Sequence, residues 1–326
     1  MPEPSPTPKR RGRLLRIGAA LVVLLAVAGY LTVQYLTGGT GPGCEVVPAG
    51  RDGGAYEFTP EQAVNAATIA AVGTGRGMPE RAVTIALATA LQESGLRNVD
   101  HGDRDSRGLF QQRPSQGWGT AKEIMDPAYA AGMFYEHLTK VRDYTRLPLT
   151  VAAQRVQRSG FPEAYARHER DATLLSAALT GRAAATLTCQ GRPGISAATG
   201  PAAVRAALVR DFGRDVVQEA GAQVGGRGGA APPAAPGGGA GADERTVTLP
   251  VRDDTGSRGG RSLSERGWQL AHWAVANASA LHIERVSYAG REWTAGVTEG
   301  EWRAADGKNA DGAGAGSGAV RITTGH

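Results

Sequence analysis

The chain has 326 residues, 41% of them hydrophobic, which is enough for two folded domains with length left over for linkers. A formal charge of +5 and a pI near 9.4 raise the question of nucleic acid, but the densest basic cluster (Lys9, Arg10, Arg11, Arg13, Arg16) directly precedes an apolar run, and no RNA- or DNA-binding motif follows. Nucleic acid is therefore not an expected partner, and the six histidines are too scattered for ligand spacing, so neither a metal nor a cofactor is expected.

Residues 1–16 read as a polar cytoplasmic tail. Ile17 to Leu36 is almost wholly apolar, about the length that crosses a hydrocarbon core as a helix. Arginines precede this run and none follows closely, which places the N-terminus in the cytoplasm. The expectation is a single-pass cell-membrane protein with a transmembrane helix over 17–36 and the bulk of the chain extracellular. The rival is a cleaved signal peptide, because Ala26-Val27-Ala28 fits a small-x-small cleavage site, although apolar residues continue past it. Residues 37–55 read as a tether.

Residues 56–190 carry helical patterns. Thr59-Pro60-Glu61 starts a helix, with Thr59 as cap and Pro60 in the first position. Met78-Pro79-Glu80 starts a second, over 79–94. Ala82-Val83, Ala86-Leu87 and Ala90-Leu91 recur at helical spacing while Ile85 and Ala88 fill the remaining circumference, the pattern of a buried helix. Gly95 supplies its stop. Further helical patterns run over 127–144, 148–158 and 162–179, and no period-two run interrupts them, so 56–182 reads as all-helical. Cys44 and Cys189 bracket the domain. In an oxidising compartment a disulfide between them is expected, worth roughly 3–5 kcal/mol for so long a loop; two unpaired thiols are the alternative.

Residues 201–219 read as one more helix. Of the 22 residues from Gly221 to Ala242, 19 are Gly, Ala or Pro, so 220–245 reads as a disordered linker, giving the module beyond it a wide radius. In that module, 246–326, Val247, Leu249 and Val251 alternate as a strand does. Ser264 reads as the cap of a helix carrying Trp268 and Trp273, and strands follow at 283–288, 292–293 and 320–322. His272 and His282 lack an acidic partner at useful spacing and read as structural.

Chemistry points to Glu93. At the carbonyl end of a buried helix, both the helix dipole and desolvation disfavour a carboxylate and raise its pKa. A protonated glutamic acid near neutral pH is what protonation of a glycosidic oxygen requires. The run Leu91-Gln92-Glu93-Ser94-Gly95 is followed, fifteen residues after the glutamate, by Gly108-Leu109-Phe110-Gln111, and then by Pro114. This arrangement resembles the soluble-type lytic transglycosylases of the lysozyme-like superfamily. Glu93, Ser94, Gly108, Leu109, Gln111 and Pro114 fall in register, and Phe110 stands where the family has methionine.

The resemblance implies a lysozyme-like helical domain that cleaves the β-1,4 MurNAc-GlcNAc bond of peptidoglycan glycan strands. Glu93 would act as general acid and base, with Ser94, Gly108, Leu109, Phe110, Gln111 and Gln112 binding substrate. The family's later Tyr-Asn-Ala-Gly segment has no clean counterpart; Gln157 stands for its asparagine and Tyr165 for its aromatic residue. Two schemes remain open. Glu93 alone gives a 1,6-anhydro product, whereas a second carboxylate, Asp103 or Asp105 in the Gly-Asp-Arg-Asp-Ser loop, would direct water and give hydrolysis. Those aspartates can equally serve as turn-capping loop residues. The rival class is a non-catalytic wall-binding or scaffold protein of an envelope secretion or conjugation apparatus. The run Gly267 to Trp293 resembles a small α/β domain at the C-terminus of secreted actinobacterial proteins. The fold class expected is thus mainly α, with a single N-terminal transmembrane helix, a lysozyme-like all-helical domain, a Gly/Ala/Pro linker and a small α/β C-terminal domain.

Overall fold

A computed structural model describes residues 24–25, 27–29, 43–50, 53–159, 162–190, 200–214, 245–251, 260–296, 301–305 and 318–325. The chain divides into two units, Met1–Gly41 and Pro42–His326.

The first unit corrects the sequence reading. Of the apolar run over 17–36, only Leu24, Leu25, Val27, Ala28 and Gly29 are described, as helix. Among the described residues no helix is long and apolar enough to cross a membrane. The transmembrane helix is therefore withdrawn. The membrane partner, the single-pass localisation with a cytoplasmic N-terminus, and the envelope apparatus expected beside them are withdrawn with it. The tail 1–16 and the greater part of 17–36 lie outside the described residues.

In the second unit, β1 (Cys44–Val46), β2 (Tyr56–Phe58) and β3 (Leu187–Cys189) form a small antiparallel sheet in the order β2-β1-β3. The region read as a tether thus contributes a strand, the region 56–182 read as all-helical opens with a second, β2, and β3 follows just beyond it. Each has three residues, too few to show an alternation. Cys44 and Cys189 face each other directly across β1 and β3, with Cα atoms 4.0 Å apart, and are joined by the expected disulfide.

Helices α1 (Pro60–Gly75) and α2 (Glu80–Ser94) form the centre of the unit. Thr59 caps α1 in a reciprocal box with Gln62, and Pro60 sits in its first turn. Ala82 through Leu91 are all buried, so α2 runs through the core. The short α3 (Ala121–Ile124), then α4 (Pro127–Thr139), α5 (Leu149–Gln157) and α6 (Glu169–Leu179) surround this pair, α4 packing on α1 and α6 on α2. The pattern over 127–144 ends at Thr139, and the one over 162–179 opens as a 3-10 helix, Pro162–His168. The helix expected over 201–219 is α7 (Gly200–Phe212).

Residues 215–244, most of the region read as linker, lie outside the described residues. Beyond them β4 (Thr246–Pro250), α8 (Leu263–Ala276), α9 (Ala278–Leu281), β5 (Ile283–Tyr288), β6 (Arg291–Thr294), β7 (Arg303–Ala304) and β8 (Ala319–Thr324) build an antiparallel sheet in the order β4-β8-β5-β6-β7, covered by α8. The cap of α8 is Ser262, not Ser264, because Glu265 lies three residues after Ser262 and closes the box.

This module does not range freely. Helix α8 packs against α1, α6 and β3, and α7 packs on both α1 and β4. Polar contacts pin the seam. Trp273 Nε1 donates to Asp211 Oδ2 (2.8 Å), and Trp302 Nε1 donates to the Leu187 carbonyl (2.9 Å). The approach is close enough to require a glycine at 181, where a Cβ would lie 1.7 Å from the Glu265 carbonyl oxygen.

Candidate functional site

Helix α2 delivers Glu93 from the core to an open cleft. Gly95, in the left-handed conformation, ends the helix, and the amides of Gly95 and Leu96 return to the carbonyls of Leu91 and Ala90 (3.0 and 3.1 Å). From α1, Gln62 Nε2 and Asn65 Nδ2 donate to the Gly95 and Leu96 carbonyls (2.7 and 2.9 Å). Backbone groups that a helix end leaves without partners are therefore held, and the position of Glu93 is fixed.

Glu93 is half-buried. Burial raises its pKa above the usual carboxylate value, opposed by hydrogen bonds from Tyr165 and Gln157 that favour the charged form. Tyr165 is fully buried and its hydroxyl donates to Glu93 Oε1 at 2.7 Å. Gln157 also donates through Nε2 to the Phe110 carbonyl (2.7 Å), so it spans from the acid to the loop opposite.

That loop closes as a tight turn, with Arg107 and Gln112 exchanging backbone hydrogen bonds of 3.0 Å. Gly108 opens it at φ 74, where a Cβ would lie 2.7 Å from the Ile124 carbonyl oxygen, so the position excludes a side chain on both counts. Leu109 and Phe110 are fully buried, and Phe110 stacks on Phe134 with centroids 4.7 Å apart. They anchor the turn and do not face a substrate. Ser94 also serves as an anchor, since its hydroxyl donates to the Ala90 and Leu109 carbonyls (3.1 and 2.8 Å) and ties turn to helix. Gln111 and Gln112 do line the cleft. Gln112 Nε2 donates to the Ala130 carbonyl (3.0 Å), while its Oε1 is buried with no hydrogen-bond partner among the described residues.

The two aspartates part company. Asp105 accepts from the Ser115 amide (2.8 Å) and pairs with Arg113 Nε (3.0 Å), and these bonds, the serine's foremost, hold its carboxyl far below the usual range. It is a loop staple. Asp103 is exposed and lines the cleft with Glu93.

The cleft encloses about 1020 Å³. Trp118 lines it with its ring stacked on His137, centroids 4.0 Å apart. The sequence reading missed another part of its lining, made of Gln116, His137, Lys140, Arg155 and Arg158 from the ends of α4 and α5 and the 3-10 turn at 114–116. The only signal available was the adjacency of Arg155 and Arg158 to Gln157. His272 lies far from this chemistry in sequence and in role, buried in the seam under α8. Among the described residues no three His, Cys, Asp or Glu side chains converge on one point.

No protein-family model matches the chain, and no curated protein matches it.

Proposed function

We propose that the chain is a peptidoglycan glycosidase in which Glu93 serves first as general acid and then as general base, with no second carboxylate. The observation behind this is a single one: a half-buried glutamic acid with a raised pKa, held by Tyr165, opening onto a cleft large enough for a glycan strand. The in-register match to the lytic transglycosylases supports the choice of substrate. Glu93 gives its proton to the glycosidic oxygen as the bond to C1 breaks, and the substrate's own 2-acetamido group meets the charge at C1. The Glu93 carboxylate, its charge eased by the Tyr165 hydroxyl, then accepts the proton of the sugar's 6-hydroxyl as that oxygen closes on C1. Asp105, held by Ser115 and Arg113, is occupied elsewhere, so a hydrolytic route would fall to Asp103, the other carboxylate on the cleft.

Incubating the full chain with purified sacculi tests the reading. Wild type should release soluble muropeptides with 1,6-anhydro ends, and Glu93→Gln should release none. Reducing ends would replace the intramolecular step with hydrolysis. Equal release by both chains, or by neither, would remove the glycosidase reading altogether.

A further inference from the structure

Part of the cleft lining is cationic. Lys140 ends α4 and Arg158 ends α5, with Arg155 one turn before it, so the C-termini of two helices bring three positive charges to one cavity. Both Lys140 and Arg158 act on His137, whose pKa is lowered first by burial and then by these two charges, with Glu136 opposing. Lys140 shares an exposed pair with Glu136 (2.9 Å), while Arg155 and Arg158 have no ion pair among the described residues. Arg113, the fourth cation of the cleft, is committed to Asp105. The acids facing the cavity are Glu93, whose pKa burial raises, and Asp103.

Cations commonly sit at helix C-termini because the macrodipole favours them there. That explains one per helix, and such a residue usually bonds a terminal carbonyl. Among the described residues none of these three side chains donates a hydrogen bond to one. N-acetylated sugars are neutral and offer such charges only hydroxyl and amide acceptors, whereas carboxylates match guanidinium forks in both charge and geometry. A cleft also focuses the field of its lining charges.

We propose that Lys140, Arg155 and Arg158, beside the Trp118–His137 stack, form a subsite for the acidic peptide stems that a peptidoglycan strand carries. The subsite rests on the glycosidase reading and deepens it: the enzyme selects glycan by the charge on its stems as well as by its sugars.

The test uses full-length Glu93→Gln, which binds without turnover, and two synthetic glycan tetrasaccharides identical except that one has free stem carboxylates and the other has them amidated. Calorimetry at low salt should find the acidic ligand bound about tenfold tighter, from a few exposed charge contacts. That advantage should shrink in about 0.5 M salt. Adding Arg155→Gln and Arg158→Gln should abolish it, while Arg155→Lys with Arg158→Lys should keep most of it. Equal binding of the two ligands, or a preference that survives the glutamine pair, would overturn the subsite. The two readings fail separately: preferential binding without muropeptide release by wild type would end the glycosidase reading and keep the subsite, and release without preferential binding would do the reverse.

Discussion

The seam beneath α8 and the cleft around Glu93 each remove a titratable side chain from water, and they treat it in opposite ways. In the seam, His272 is wholly buried among Trp268 and Trp302. Its Nδ1–H donates to the Ala178 carbonyl (2.8 Å) and its Nε2 accepts from the Thr186 amide (3.2 Å). Burial pushes its pKa down to about 4, so the ring is neutral, and both nitrogens are engaged. Nothing is left to react. Glu93 is also shifted by burial, toward its neutral form, but Tyr165 and Gln157 hold it from behind while it opens onto the cleft. Burial moves both groups. The open side distinguishes chemistry from structure.

The sharpest break between the regions is expected at Glu93. Glu93→Gln should lower muropeptide release by about a thousandfold or more, the scale of lost acid-base catalysis. The fold should hold or gain stability, since a neutral amide replaces a carboxyl that burial disfavours when charged. Activity assays beside thermal melts check this; parallel loss of both would make Glu93 a structural residue. His272→Leu should do the converse, costing about 2–4 kcal/mol by orphaning two buried backbone groups, with activity at permissive temperature little changed. Urea denaturation measures the loss.

The pH dependence of stability should separate them too. His272 has a folded pKa of about 4 against 6.5 for an exposed ring, so between these values the unfolded chain binds a proton that the native chain refuses. Stability should fall as pH drops through that window, by up to about 3 kcal/mol, and this loss should vanish in His272→Leu. Glu93 has the opposite sign. Its folded pKa lies above the unfolded value of 4.5, so the native chain keeps a proton that the unfolded chain releases, and stability should decline as pH rises above 4.5. That decline should be absent in Glu93→Gln.

Much of the cleft's backbone was legible because its signals are local. Thr59-Pro60 starts a helix and Gly95 stops one for reasons contained within a few residues. The Ser262–Glu265 spacing is an equally local signal, and it outweighs Ser264 as the cap because it closes a reciprocal box. Position in a motif did not reveal orientation: Leu109 and Phe110 are both buried in the core, while Gln111, next in the same turn and at positive φ, lines the cleft. The cationic wall and the docking of α8 come from tertiary packing between distant segments. No local pattern encodes which helix ends will face one cavity.

A smaller effect is expected at Tyr165. Tyr165→Phe removes the hydroxyl that stabilises the Glu93 carboxylate, so Glu93 should hold its proton to higher pH and the alkaline limb of the pH–rate profile should move up. The rate at the optimum should fall about tenfold, the order of one hydrogen bond to a charged group. A lower rate with an unmoved alkaline limb would reduce Tyr165 to a packing residue.

Asp105 should matter least, and that small effect decides between the two glycosidase schemes. Its carboxylate bridges the Ser115 amide and Arg113 within one loop, with the side chain only half-exposed. Asp105→Asn keeps the size and an acceptor oxygen but loses the charge, so the loop should loosen modestly and activity should fall no more than about threefold, the small effect usual for a solvent-screened ion pair. If Asp105 instead directed water at C1, the same substitution would remove a base and cost about a hundredfold or more. Asp103→Asn is the companion variant, because Asp103 faces the cleft and is not tied to Arg113. With Glu93 acting alone, both variants should keep anhydro ends on their products. A large rate loss in either variant, accompanied by reducing ends in the wild-type digest, would identify the second carboxylate and replace the intramolecular route.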